Sequence, residues 1–341
     1  MSVSMVIASP VIAAKECASC CKPANLRCSK CNEGVDKVGR AVPTHYCGII
    51  CQTNHWAIHK VECKLRLGRM RLWRAGELLR EVAYIHARTV WHHKFKIEKQ
   101  MDRTICMTPD DIRLSQMDYI GSSGDDLAPE DKALVLCTLA EDDFRIQIPT
   151  VMHSRLKCTA TTIEEVKVKP KKTPRLRLIT SLDGSTSLSL SDQKVNRVNL
   201  PSGEVYALSP TLARFDSDDV HSDAVTEEAE LGVRAVRMHA GLATYGTVAF
   251  NTENYKALAR VSIIHAKHRQ LLERTMKEAL QTEKRGLKLS TIVAMPPAEY
   301  QCVTSGLLVR FKDADVQGVD ALKAQGGIRA LTASIMPSFA T

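Results

Sequence analysis

The chain has 341 residues, 44% hydrophobic and 25% charged, with a formal net charge of +9. This is the balance of an ordinary soluble globular protein, long enough for two or three domains and at least one sizeable core. No apolar run approaches the ~18 residues of a membrane-spanning helix, and with aromatics at only 5% the core must rest on Leu, Val, Ile and Ala.

The first fifteen residues, MSVSMVIASPVIAAK, are apolar but lack a basic start and are interrupted by Pro10. They read as a disordered tail, not as a signal peptide or anchor. The excess positive charge is confined to residues 1–100, with 17 Lys/Arg against 7 Asp/Glu, while residues 101–341 are nearly balanced at 30 against 31.

Residues 17–63 hold seven cysteines and one histidine spaced C-x2-C-x7-C-x2-C-x15-C-x3-C-x7-H-x3-C. Eight soft or borderline ligands suffice for two four-coordinate zinc ions, and a C-x2-C pair on a tight knuckle turns two thiolates toward one ion. The chain has 12 cysteines, and the other five (Cys21, Cys106, Cys137, Cys158, Cys302) are scattered, so a metal framework is favoured over a disulfide one. Metal-bound thiolates imply a reducing compartment, the cytoplasm or nucleus. The interval 32–46, rich in Gly, Lys and Pro, reads as a surface loop. The segment CQTNHWAIHKVEC reads as a short helix that sets His59 and Cys63 one turn apart on one face.

Residues 64–94 show apolar spacing at Leu65, Leu72, Leu79, Val82 and Ile85/His86 and predict one helix over about 69–92, with Gly68 and Gly76 each weakening it by about 1 kcal/mol. Its arginines read as the solvated face of an amphipathic helix. Non-specific nucleic-acid contact is the lesser alternative, because no base-reading motif accompanies them. FKIEK and TICMT predict a hairpin. Residues 109–131 read as a loop, and Pro129 with Glu130 and Asp131 opens a helix to about Ala140.

Strand-like alternation marks 162–168, 174–180, 194–200 and 204–208, with Pro201-Ser202-Gly203 as a tight turn between the last two. The basic run 167–177 resembles a nuclear import signal but reads first as an exposed strand. Residues 216–232 are acidic and polar and expected to be mobile. A long helix is expected from Asn251 or Thr252 to Gly286, with Leu258, Val261, His265/Ile264, Leu272, Met276 and Ala279 along its apolar line. The last fifty residues read as a mixture of strand and short helix. His92, His93, His265 and His268 read as packing or surface residues, and Cys137 as a core residue.

The cysteine-rich segment resembles the MYND-type zinc finger, and its lengthened interval between Cys31 and Cys47 resembles that of fungal MYND proteins. The residues that carry the resemblance are the two C-x2-C pairs and Tyr46, Cys47, Cys51, Gln52, Trp56, His59, Lys60 and Cys63. It covers about 47 of the 341 residues. The resemblance implies an interleaved cross-brace, with Cys17, Cys20, Cys47 and Cys51 on one zinc and Cys28, Cys31, His59 and Cys63 on the other. Spacing alone leaves a sequential pairing open. Four protein ligands per ion leave no open position, so both ions are expected to be structural. The resemblance also implies a shallow protein-binding face at Ser29, Gln52 and Trp56 that takes proline-rich peptides, an indole and an amide being suited to proline rings and backbone carbonyls.

The expected fold class is α+β. Residues 16–64 are expected to form the MYND-type finger, residues 65–100 the basic helix and the start of the hairpin, and residues 101–341 an α+β body with a long helix in its C-terminal half and no assigned role. The expected function is that of a zinc-binding adaptor recruiting protein partners, with a place in transcriptional regulation, no membrane attachment and no enzymatic activity. Two enzyme readings are weaker. Some MYND proteins are SET-type lysine methyltransferases, but no N-H-x-C-x-P-N motif is present. The segment KVNRVNLPSGEVYALSPT faintly resembles part of a papain or transglutaminase-like domain, but Asn196 and Ser209 stand where a catalytic His and Asp belong. No catalytic residues are assigned to it.

Overall fold

The computed structural model describes residues 15–37, 39–90, 95–99, 105–109, 128, 131, 135, 159–168, 176–178, 193–208, 234–236, 267–268, 270–281, 288–328 and 330. The chain divides into two compact units, Met1–Met70 and Arg71–Thr341.

In the first unit, β1 (Leu26–Arg27) pairs antiparallel with β2 (His45–Tyr46), and α1 (Ile49–Thr89) begins three residues later. The expected short finger helix and the separate basic helix are one helix of 41 residues. No proline interrupts it, and the cost of Gly68 is small beside the contacts on either side. The interval 32–46 is not a free surface loop either. Val35 and Thr44 are buried, and Val35 bridges Ala41. Arg66 donates to the Val42 carbonyl at 2.7 Å and to Thr44 Oγ1 at 2.8 Å, and its Nε reaches Glu62 at 3.0 Å. Arg69, buried, also reaches Glu62, at 3.2 Å. These guanidiniums are internal ties, which corrects the reading of a uniformly solvated basic face.

Among the described residues the second unit has two sheets. β3 (Phe95–Lys99) and β4 (Ile105–Pro109) form the expected hairpin, and β6 (Leu176–Leu178) adds in parallel to β4. β5 (Thr162–Val168), β7 (Gln193–Asn199), β8 (Val205–Leu208) and β9 (Arg234–Val236) make an antiparallel sheet in the order β8-β7-β5-β9. The Pro201–Gly203 turn closes β7 onto β8, and Gly203 takes φ +83°, a left-handed conformation that suits glycine. Val198, Leu200 and Tyr206 pack there with Leu72 and Ala160.

The main core is helical. Ala75, Leu79, Val82 and Ala83 of α1 pack with Leu272, Met276 and Ala279 from a helical stretch over 270–281, and with α2 (Leu289–Ala294) and α3 (Pro297–Ala324). The apolar line expected for the long helix is borne out at Leu272, Met276 and Ala279, while Leu258, Val261 and His265 lie outside the described residues. Asp131 and Val135 are helical, as the Pro129 signal predicts. Where the last fifty residues read as a mixture of strand and short helix, the described part, which reaches residue 330, is helical: the short α2 and the 28-residue α3.

Arg74 is a second arginine that is buried rather than solvated. It donates to the carbonyls of Val293 at 3.2 Å and Met295 at 2.7 Å at the end of α2, and its guanidinium lies 4.5 Å from the centre of the Tyr300 ring. Tyr300 returns a 2.9 Å hydrogen bond to the Arg74 carbonyl. Arg74→Ala strands those carbonyls, so it is expected to lower stability by about 2–3 kcal/mol, and Arg74→Lys, a point charge without the planar fork, restores only part of this. Denaturant midpoints of the two variants check this.

Candidate metal centre

Each short structural element of the finger delivers a ligand-type side chain. β1 ends one residue before Cys28, and β2 ends one residue before Cys47. Their antiparallel register, Leu26 opposite Tyr46 and Arg27 opposite His45, sets Cys28 at one end of the ladder, where its N–H donates to the Thr44 carbonyl, and Cys47 at the other. The first knuckle is closed by the Cys17 N–H donating to the Lys22 carbonyl, and Cys21 takes φ 60° as the chain turns out of it. The second knuckle turns at Gly34, whose N–H donates to the Cys31 carbonyl. A Cβ on Gly34 would lie 2.6 Å from the Cβ of Arg66, so only glycine allows this approach to α1. The helix contributes Cys51, His59 and Cys63.

Cys17, Cys20, Cys47 and Cys51 form one tetrad, and Cys28, Cys31, His59 and Cys63 another, with the ligand atoms of each within 4.8 Å of one another. This is the interleaved arrangement, not the sequential one. In the first tetrad Cys20–Cys47, Cys47–Cys51 and Cys51–Cys20 Sγ separations are 3.5, 3.4 and 3.7 Å. In the second, Cys31 Sγ lies 3.3 Å from His59 Nε2. A tetrahedral zinc with Zn–S of about 2.3 Å sets its thiolates about 3.8 Å apart, whereas a disulfide needs about 2.05 Å. The eight cysteines of the finger, Cys21 included, and Cys302 are in no disulfide. Cys21 belongs to neither tetrad.

The donor chemistry fits the same ion. Burial pushes the Cys17 thiol up, but the backbone N–H groups of Cys47, Ser19 and Cys20 outweigh it and bring Cys17 down to about 6. Cys47, hydrogen-bonded to Cys51, Cys20 and Cys17, is pushed up to about 12. Burial, then the charges of Cys31 and Cys28, push Cys63 up to about 12. Four thiols packed this closely cannot all ionise by themselves; a divalent cation makes four thiolates compatible. Burial and the Arg66 charge lower the pKa of His59, favouring the neutral imidazole a metal requires. The second tetrad is fully buried, whereas Cys20 and Cys47 of the first are exposed. Two cysteine and histidine tetrads are consistent with two zinc ions.

Comparison with known proteins agrees. The chain is 36% identical over 66 residues to N-lysine methyltransferase SMYD2-B of Danio rerio, and 34% identical over 65 residues to N-lysine methyltransferase SMYD2 of Rattus norvegicus. These matches cover 18% and 19% of this chain and 15% of each relative, so the chain spans about 15% of the length of the curated relatives it matches. The match lies in the N-terminal region. It is consistent with a MYND finger. No family model matches the chain, and no solved structure matches it.

The framework residues of this MYND-like finger have visible tasks. Tyr46 is fully buried, its hydroxyl lies 3.1 Å from His55 Nδ1, and its ring meets His59 edge-on. Trp56, half-buried, packs against the cysteine core and meets His59 edge-on at 6.1 Å. Ser29 is exposed and Gln52 half-buried. The sequence reading missed Lys30, whose ammonium stands 5.5 Å from the centre of the Trp56 ring. Its place beside Ser29 inside the knuckle was the available signal.

The other expected sites fare differently. Among the described residues, no helix is long and apolar enough to cross a membrane. His268 is fully buried and packs edge-on against His86, as a packing residue. The β7–β8 hairpin exists and Asn196 in it is buried, but Cys137 and Ser209 lie outside the described residues, as do His92, His93 and His265.

Proposed function

We propose that the finger is a protein-interaction module and that the chain acts as an adaptor, in the cytoplasm or nucleus, with a place in transcriptional regulation. In this reading Cys17, Cys20, Cys47 and Cys51 ligate one zinc, and Cys28, Cys31, His59 and Cys63 the other. Both ions are structural, because four protein ligands leave neither an open position. They hold the knuckles and α1 so that Ser29, Gln52 and Trp56 present a shallow face to proline-rich peptides.

One observation carries this reading: Lys30 over the indole. It sets the second knuckle, with its exposed Ser29, beside Trp56. Gln52 lies one turn before Trp56 on the same side of α1. An aromatic plate, an amide, a hydroxyl and a cation then share one face, a chemistry suited to proline rings and backbone carbonyls. The methyltransferase activity named for the relatives is not transferred, since the matches span 15% of those proteins.

A proline-rich peptide is the probe. Gln52→Ala with Trp56→Ala is expected to weaken its binding at least thirtyfold, the scale of a hot spot of about 2 kcal/mol, with zinc still at two per chain. Because Trp56 also packs inward, Ser29→Arg serves as a second variant that blocks the face from outside the core. Retained binding in zinc-loaded forms of both variants would defeat the reading.

A further inference from the structure

The opposite side of α1 carries a surface that the finger does not use. Ile50, Ile58 and Val61 are 77%, 74% and 66% exposed, and Ala57 between them is exposed too. Spaced i, i+7, i+8 and i+11, they form one stripe, while His59 and Cys63 point the other way into the second tetrad. Scattered exposed apolar residues are unremarkable, but Ala57, Ile58 and Val61 are contiguous on a zinc-held helix, and Ile50 continues the same face beyond the exposed Asn54. Lys60 and Lys64 line one edge of it, exposed, and make no ion pair among the described residues.

We propose that this strip is a docking surface for an amphipathic helix with an acidic edge, supplied by another protein. The apolar residues offer anchors at helical spacing, and the lysine edge supplies the charge complement. A second copy of this chain fits less well. The exposed positions of the segment include no Asp or Glu, and Glu62 is engaged by Arg66 and Arg69, so two copies would bring lysines together with no acid to meet them. An anionic membrane also fits less well, because lysines flank only one edge and the helix's other face is committed to the zinc tetrads. This surface is separate from the Ser29, Gln52 and Trp56 face and does not depend on it.

The test selects a displayed library of random helix-forming peptides, about four turns long, against the full zinc-loaded chain. Enriched peptides are expected to carry apolar residues at i, i+3 or i+4 and i+7 beside Asp or Glu. Their binding is expected to fall at least tenfold in Ile58→Asp/Val61→Asp and in Lys60→Glu/Lys64→Glu, and to be unchanged in Gln52→Ala. The lysine-reversed chain should enrich basic helices instead. Zinc at two per chain in each variant shows that the finger is intact. Enrichment only of peptides that survive Ile58→Asp/Val61→Asp, or of none, overturns the proposal. So does a mass doubling in solution lost in that variant, which identifies a second copy as the occupant. Binding to phosphatidylcholine–phosphatidylserine vesicles lost in that variant assigns the strip to a membrane surface and overturns it as well.

Discussion

Stripping zinc from the intact chain is expected to unfold the finger as a unit. Its core cluster has six buried members, Cys17, Ala24, Cys28, Cys31, Tyr46 and Cys63, and four of them are cysteines. So little apolar area cannot offset the conformational entropy of ordering the knuckles and the 32–46 segment. Each structural zinc contributes folding free energy on the order of 10 kcal/mol, so chelation should remove amide protection across residues 15–66. Cys28→Ser, which touches only the second tetrad, is expected to loosen the first as well, because the Cys28–Cys31 knuckle lies in the chain between Cys20 and Cys47. Metal analysis should give two zinc ions for the wild type and fewer than two for Cys28→Ser. Hydrogen exchange unchanged by chelation would show that the metals are dispensable.

The second large effect is expected far from the metals. Asp315 of α3 is fully buried and faces His86 of α1, with Nδ1 at 3.0 and 3.2 Å from its two carboxylate oxygens. The His268 ring meets His86 edge-on at 6.2 Å. Removing either member of a buried pair leaves an uncompensated polar or charged group, so Asp315→Ala or His86→Ala is expected to cost about 3–5 kcal/mol. Replacing both with apolar residues, His86→Leu with Asp315→Val, should recover much of that loss. Equilibrium unfolding of the two single variants and the double variant tests this. Additive losses would mean that the pair is not coupled.

What could be read from the sequence divides along physical lines. The eight ligand residues were legible because metal chemistry is written in a few side chains at fixed spacing, but their interleaved pairing followed from the MYND resemblance and not from spacing; the β7–β8 hairpin was legible because Pro201 and Gly203 encode their own turn. The continuity of α1 was not, because a local penalty at Gly68 is outweighed by tertiary contacts that spacing does not reveal. The burial of Arg69 and Arg74 was hidden for a related reason. Their partners are Glu62 and carbonyls of Val293 and Met295, and a long basic side chain looks the same in sequence whether it meets water or a carbonyl. α3 did have a start signal, Pro297 followed by Glu299 in the first turn. Its core line of Thr304, Leu307, Phe311, Asp315 and Val319 was masked by two polar residues in core positions. Asp315 makes sense only once His86, 229 residues away, is beside it.

Interleaving also fixes the order in which a growing polypeptide can mature. When residue 46 leaves the ribosome, the nascent chain displays two open pairs, Cys17 with Cys20 and Cys28 with Cys31, and no tetrad can close. Emergence of Cys51 completes the first, and twelve residues later Cys63 completes the second. Both interleaved centres are thus completed within the first turns of one emerging helix. Any product cut before residue 51 can complete neither of the two interleaved centres.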